Sequence, residues 1–166
     1  YNGTITVDDK IFVKKIIPKN KELKGIITGP YTLTKSCVDL YYNNEKKMAF
    51  DFAYALKKEA DVLQKYVDMI SIDEPFFSHF IPDYCNELIE IITKDISCPT
   101  ILHACGDISS SIPELIEMPV DILSHEFKAS PHLLDAFKEY SFSQNLCLGS
   151  VRSDNNNVES VDVITN

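Results

Sequence analysis

The segment Pro99–Asp107, PTILHACGD, joins a short apolar run to a group of polar residues. Its first half is typical of a buried strand, and Gly106 with Asp107 indicates where that strand stops. His103 and Cys105 lie at the end of the run, one residue apart. Alternate side chains of a strand point to the same face, so both can turn toward one point. Because imidazole and thiolate are ligands that Zn²⁺ prefers, the segment predicts a strand that ends in a candidate metal site.

The same pattern recurs on both sides of this segment. Four further apolar runs end in polar or turn residues, namely LKGIITGP (23–30), VDMISIDEP (67–75), VDILSHEF (120–127) and NLCLGSV (145–151). Helical spacing of apolar residues predicts helices at 45–66, 82–94, 111–118 and 131–140, and a helix beginning within 158–166. Strands that alternate with helices predict a parallel α/β sheet, and their continuous apolar character predicts that both faces are covered.

Residues 1–23 fit this pattern less well, and we interpret them as a hairpin or an irregular lead-in to one domain of residues 1–166. The net charge of −9 argues against a nucleic-acid partner. The apolar runs are shorter than the ~18 residues of a membrane span. Five scattered cysteines, an odd number, argue against a disulfide framework and for a reducing, cytoplasmic setting.

Carboxylates follow two of the predicted strands. Asp73 and Glu74 end one strand and Glu126 ends another, so they are expected at the same edge as His103 and Cys105. Glu126 would add a third ligand to a zinc set that leaves one position for another ligand. Two other interpretations stay open: a core histidine beside a buried cysteine, and a helix cap or turn formed by Glu74 ahead of Pro75.

Five motifs occur in an order that is found in a known family: GIITGPYTL, MISIDEP, ILHACGD, VDILSHEF and VESVDVI. With their spacing, they resemble the C-terminal catalytic barrel of cobalamin-independent methionine synthase. The resemblance is closer still to the short archaeal enzymes, which take the methyl group from a methylated corrinoid protein. Uroporphyrinogen decarboxylase and the methylcobamide:coenzyme M methyltransferases belong to the same superfamily and are the alternative functions.

The resemblance implies a role for each candidate residue. His103, Cys105 and Glu126 match zinc ligands of the family, and Asp73, with Glu74 beside it, matches the site for the amino group of L-homocysteine. No catalytic residue is implied beyond the metal site. The expected reaction is zinc-dependent methyl transfer to homocysteine, giving methionine. The donor expected from the resemblance is a methylcorrinoid protein rather than methyltetrahydrofolate.

The sequence also departs from the family. A (β/α)₈ barrel has eight strands, and about five are predicted here, so we expect an incomplete TIM barrel, an internal fragment of the catalytic domain. The family's fourth zinc ligand, a cysteine, would lie beyond Asn166, and Cys147 is interpreted as a core residue instead. Arg152 and Asp154 stand where the archaeal relatives tend to have an acid and a lysine.

An incomplete barrel has two consequences. Zinc binding by this chain is expected to be weak or absent, because one ligand is missing. The unpaired sheet edges are expected to drive self-association, and an inactive, self-associating fragment is therefore the non-enzymatic alternative.

Overall fold

The computed structural model describes residues 3–152 and 159–165. Its core is one parallel sheet in which the strands lie in chain order, β1-β2-β3-β4-β5. The strands are β1 Lys24–Thr28, β2 Met69–Asp73, β3 Thr100–His103, β4 Ile122–His125 and β5 Asn145–Leu148. Chain-ordered parallel strands with helical connections are the arrangement of a β/α barrel, which confirms the predicted fold class.

Helices connect the successive strands, and the described ranges hold one further helix before β1 and one after β5. They are α1 Val7–Ile16, α2 Pro30–Ser36, α3 Glu45–Leu63, α4 Cys85–Thr93, α5 Ile112–Leu115, α6 Leu133–Phe137 and α7 Val161–Thr165, with single 3₁₀ turns at Pro75–Ser78 and Ser109–Ser111. The apolar side of α3 and α4 packs on the sheet, where Leu63, Leu88 and Ile72 are fully buried. None of the helices in the described ranges is long and apolar enough to cross a membrane.

Helix ends differ from the predictions where prolines stand. The helix predicted at 82–94 begins at Cys85, because Pro82 starts a separate turn that is closed by the Cys85 N–H to the Pro82 carbonyl at 3.0 Å. The helices predicted at 111–118 and 131–140 are shortened to α5 and α6. Helix α2 was not predicted, although Pro30 occupies its first turn, where proline is well tolerated.

The predicted hairpin or irregular lead-in is wrong, because residues 7–16 form helix α1. Acidic residues in its first turn and basic residues in its last turn complement the helix dipole. Glu59 of α3, 5% exposed, accepts hydrogen bonds from the Ile5 N–H at 2.8 Å, the Thr6 N–H at 2.7 Å and the Thr6 hydroxyl at 2.9 Å. A carboxylate on one helix therefore fixes the start of the other.

Replacing Glu59 with alanine should detach the start of α1. The free energy of unfolding is expected to fall by about 1–2 kcal/mol, since half-buried N–H groups lose their acceptor. Urea unfolding measures the change, and faster proteolysis within residues 1–20 locates it. Lys14→Ala is the control, because it removes only the exposed Lys14–Asp68 ion pair (3.0 Å) and should cost less than about 0.5 kcal/mol. Equal effects of the two variants would contradict the anchoring role.

The two faces of the sheet are covered unequally. On β1, Ile27 faces the helices and is 4% exposed, whereas its neighbour Ile26 faces the concave side and is 43% exposed. Leu148 on β5 is 50% exposed. Within the described residues, β1 and β5 each pair with one neighbouring strand. The expectation that both faces are covered is therefore wrong at the two outer strands, since the barrel is open there.

Candidate functional site

One row of side chains crosses the concave face near the carboxyl ends of the strands. Residues paired in register between parallel strands point to the same face, and the row contains Thr28, Asp73, His103, Ser124 and Cys147. The row thus brings the predicted substrate-binding carboxylate beside the predicted metal-binding histidine. It also places there Ser124, which the sequence did not single out, and Cys147, which was interpreted as a core residue.

His103 is half-buried in this row, and its Nδ1 atom lies 3.2 Å from the Ser124 hydroxyl. With Nδ1 engaged, Nε2 is the ring nitrogen that could bind a metal ion. Asp73, next in the row, accepts a hydrogen bond from the hydroxyl of buried Ser71 at 2.8 Å. The hydroxyl groups of two neighbours therefore orient the two polar side chains.

Cys105 and Glu126 lie in the loops that follow β3 and β4, close to each other and to Asp73. The backbone N–H of Gly106 donates to Glu126 Oε2 at 3.1 Å. Gly106 has φ of +82°, a conformation that glycine adopts without strain, and this lets the loop turn beside Glu126. Burial raises the pKa of the Cys105 thiol, and the negative charges of Glu126 and Asp73 raise it further. A cation bound beside Cys105 would reverse that effect and favour the thiolate.

These residues fit zinc in kind but are not assembled around one point. Imidazole, thiolate and carboxylate are a zinc ligand set, and His103, Cys105 and Glu126 lie on the same side of the sheet. In the described part of the chain, however, no three His, Cys, Asp or Glu side chains are grouped closely enough to hold a metal ion. The zinc site therefore stays a prediction.

Glu74 lies on the opposite side of the sheet from Asp73 and has no exposed surface. Its carboxylate accepts hydrogen bonds from the N–H groups of Tyr31 and Thr32, at 2.9 and 2.8 Å, and from the Thr32 hydroxyl at 2.6 Å. Gly29 gives it room, because a Cβ there would lie 2.2 Å from the carboxyl group. This environment favours a buried acceptor at the start of α2 over the expected contact with substrate. The alternative, a cap ahead of Pro75, does not describe the side chain, because Glu74 makes no side-chain hydrogen bond to the turn at Pro75–Ser78.

The Glu74 carboxyl should make stability depend on pH. Burial raises its pKa from 4.5 to about 7, against the opposing effect of its hydrogen bonds to Thr32 and Tyr31. Because the folded chain holds this proton more tightly, the stabilising contribution is complete below about pH 4.5 and is lost as pH rises through about 7. Urea unfolding should show a stability lower by up to roughly 3 kcal/mol at pH 8 than at pH 5. Glu74→Gln should reduce this pH dependence of the free energy of unfolding. An unchanged pH dependence would contradict its assignment to the Glu74 carboxyl group.

His125 was not singled out as a candidate, and the structure places it on the helix side of β4, 1% exposed. Its Nδ1 atom contacts the Ala104 carbonyl at 3.1 Å, and its ring stacks on Phe137. Burial lowers the pKa of His125 to about 4, so the ring is neutral near pH 7. Strand alternation could have predicted this placement. Neighbouring side chains of a strand point to opposite faces, and Glu126 was expected beside His103 and Cys105, so His125 belongs on the other face.

Three remaining sequence interpretations have different outcomes. Cys147 is exposed rather than part of the core, because β5 is the outer strand of the open sheet. Arg152 follows that strand, and its backbone N–H lies 3.3 Å from Glu159 Oε2. Asp154 lies outside the described residues.

Comparison with known proteins agrees with the fold. The model of the family "Cobalamin-independent synthase, Catalytic domain" matches residues 2–166, and the chain belongs to this family. Methionine synthase of Methanocaldococcus jannaschii is 36% identical over 168 residues, which cover 96% of this chain and 54% of that protein. Methionine synthase of Methanothermobacter marburgensis is 38% identical over 176 residues, with coverage of 99% and 57%.

A solved structure shares the fold. A B12-independent methionine synthase from a Shewanella species, in complex with selenomethionine, superposes with a TM-score of 0.84 at 24% identity. The match covers 98% of this chain and 54% of that one. The chain thus spans about half the length of the curated relatives it matches.

Proposed function

We propose that the chain is part of a zinc-dependent methyltransferase that methylates the thiol of L-homocysteine to give methionine. The observation that carries the proposal is the proximity of His103, Cys105, Glu126 and Asp73 at the carboxyl ends of the strands. Support comes from family membership and from relatives named methionine synthase. The Shewanella neighbour, which is described with bound selenomethionine, adds to this support.

The proposed division of roles follows from the chemistry of the side chains. His103, Cys105 and Glu126 would hold Zn²⁺, which when bound favours the thiolate form of a coordinated thiol at neutral pH. Asp73, oriented by Ser71, would bind the substrate ammonium group. The same carboxylate disfavours coenzyme M, because that thiol carries a sulfonate instead of an ammonium group. A decarboxylase would make no use of a zinc ligand set.

The methyl donor and the setting complete the proposal. A methylcorrinoid protein is the proposed donor, with methyltetrahydrofolate as the alternative, and the resemblance of the sequence motifs to the short archaeal enzymes supports the former. A cytoplasmic location agrees with five cysteines that are all free thiols in the structure.

Methionine formation tests the proposed reaction. Homocysteine and Zn²⁺ are supplied with either methylcobalamin or methyltetrahydrofolate, to this chain and to a longer chain that covers the full length of the relatives. We expect zinc-dependent methionine from the longer chain, with methylcobalamin preferred, and loss of the product in Cys105→Ser. Methionine formation that is indifferent to zinc and to Cys105→Ser would contradict the proposal.

We also propose that this chain self-associates through its outer strands. Exposed apolar residues lie on both, with Ile26 on β1 and Leu148 on β5, and an unpaired strand edge is a template for another strand. Light scattering across a concentration series should show a molar mass that rises with concentration. Ile26→Lys should reduce the association, while Tyr54→Lys, an exposed site on α3, should not. A monomer at every concentration would contradict this part of the proposal.

A further inference from the structure

His125 contacts the backbone of the segment that carries two of the proposed ligands. Its ring is enclosed by aromatic side chains, with the Phe137 centroid at 5.5 Å and the Phe127 centroid at 6.0 Å. The Nδ1 atom lies 3.1 Å from the Ala104 carbonyl, and that carbonyl requires Nδ1 to carry the proton. Among the described residues, the Nε2 atom is buried without a hydrogen-bond partner. Burying an unpaired ring nitrogen costs free energy, so the Nδ1 contact has to offset a real penalty.

Ala104 separates His103 from Cys105, and its carbonyl belongs to the peptide group that leads into Cys105. The N–H of Ala104 is held weakly, because it donates to the Ser124 carbonyl at the long distance of 3.3 Å. This is the last hydrogen bond between β3 and β4. The hydrogen bond from His125 therefore controls the orientation of the peptide group just before Cys105. A rotation of that peptide would turn the thiol away from Glu126 and Asp73.

The backbone of His125 is fixed as well. Its carbonyl accepts hydrogen bonds from the N–H groups of Gly149, at 2.9 Å, and Phe127, at 3.1 Å. Gly149 is needed for this approach, because a Cβ there would lie 2.7 Å from the same carbonyl. Glu126 follows His125 directly, so the direction of its side chain depends on the same anchored backbone.

We propose that His125 is a positioning residue that holds the Ala104–Cys105 peptide and sets the directions of the Cys105 thiol and the Glu126 carboxylate. The assignment of these two groups as ligands rests on the proposed function, but the positioning itself can be measured without metal or substrate. Success or failure of methionine formation therefore remains a separate result.

Two substitutions of His125, by residues of similar size, separate the effect of its hydrogen bond from the effect of its ring packing. His125→Asn keeps a donor near the position of Nδ1, while His125→Leu removes it, and both lose the stacking on Phe137. The readouts on the metal-free chain are amide hydrogen exchange at Cys105 and Gly106 and the rate of Cys105 alkylation by iodoacetamide, mapped by mass spectrometry. Phe137→Leu is the control, because it disturbs the same aromatic stack without touching the hydrogen bond.

We expect His125→Leu to speed exchange and alkylation about fivefold, the loss expected for one hydrogen bond. In His125→Asn and Phe137→Leu, the rates of exchange and alkylation should stay within about twofold of the wild type, because both variants retain a hydrogen-bond donor to the Ala104 carbonyl. This should hold whatever their midpoints of thermal unfolding. Equal rates in His125→Leu and His125→Asn would overturn the proposal. If the leucine variant does not fold, imidazole nitrogen NMR of the wild type decides: an Nδ1–H tautomer supports the proposal, and an Nε2–H tautomer overturns it.

Discussion

Replacing Glu74 with alanine is expected to lower the free energy of unfolding by about 3–5 kcal/mol at pH 6. The substitution leaves the N–H groups of Tyr31 and Thr32 and the Thr32 hydroxyl without their acceptor in a fully buried site. It also leaves a cavity under the start of α2. Glu74→Gln preserves volume and one acceptor oxygen, so its cost should be about 1–2 kcal/mol.

Gly29 supplies a matched test of this contact. Gly29→Ala should be strongly destabilising by itself, because the new Cβ would lie 2.2 Å from the Glu74 carboxyl group. In the Glu74→Ala background the obstruction is gone, so the same change should cost at least about 1 kcal/mol less. Urea unfolding of the wild type, the two single variants and the double variant measures this coupling. Strictly additive changes in the free energy of unfolding would contradict the contact between Gly29 and Glu74.

The second large effect is expected on substrate binding. Asp73→Asn should raise the homocysteine KM about tenfold or more in a longer, active chain, since a hydrogen bond to a charged group is worth about 1.5–3 kcal/mol. The catalytic rate at saturating homocysteine should change less, because the ammonium group lies away from the reacting thiol.

Asp135→Asn is the control for charge, because Asp135 is an exposed carboxylate on α6 that is paired with Lys138 at 2.8 Å. It should leave the KM unchanged. An unchanged KM in Asp73→Asn as well would reassign Asp73 to a structural role, with its Ser71 contact serving the strand end alone.

The strands and their polar ends could be predicted from the sequence because their signal is local. Each strand is a short apolar run that stops at glycine, proline or a charged residue, and parallel strands place those ends at one edge. This reasoning predicted that His103, Cys105, Glu126 and Asp73 lie at one edge of the sheet, and the strand register places Asp73 beside His103. It did not provide the mutual distances of the ligands, which depend on loops such as the one containing Gly106.

Strand alternation could have corrected two interpretations. Asp73 and Glu74 are consecutive, so they face opposite sides, and only one of them could point into the cavity. The same parity separates His125 from Glu126. The partner of Glu74, the start of α2, lies more than forty residues away in the chain, and contacts at that separation leave no local pattern.

Other misses come from tertiary context. Residues 5–17 contain alternating and helically spaced apolar residues together, and the contact of Glu59 with Ile5 and Thr6 supports the helix over the hairpin. Cys147 has the apolar neighbours of a core strand. Its exposure follows from the position of β5 at the outside of an open sheet, which depends on how many strands pair.

Zinc binding by defined variants tests the central claim most directly. The chain is titrated with Zn²⁺ in competition with a chromophoric chelator, alone and with homocysteine, and Cys105→Ser and Glu126→Gln are compared with Cys147→Ser. The account predicts zinc binding that is weak or absent in the chain alone and is strengthened by homocysteine. This binding is lost in the first two variants and kept in Cys147→Ser. Binding that survives Cys105→Ser and Glu126→Gln, or that depends on Cys147 instead, would contradict it.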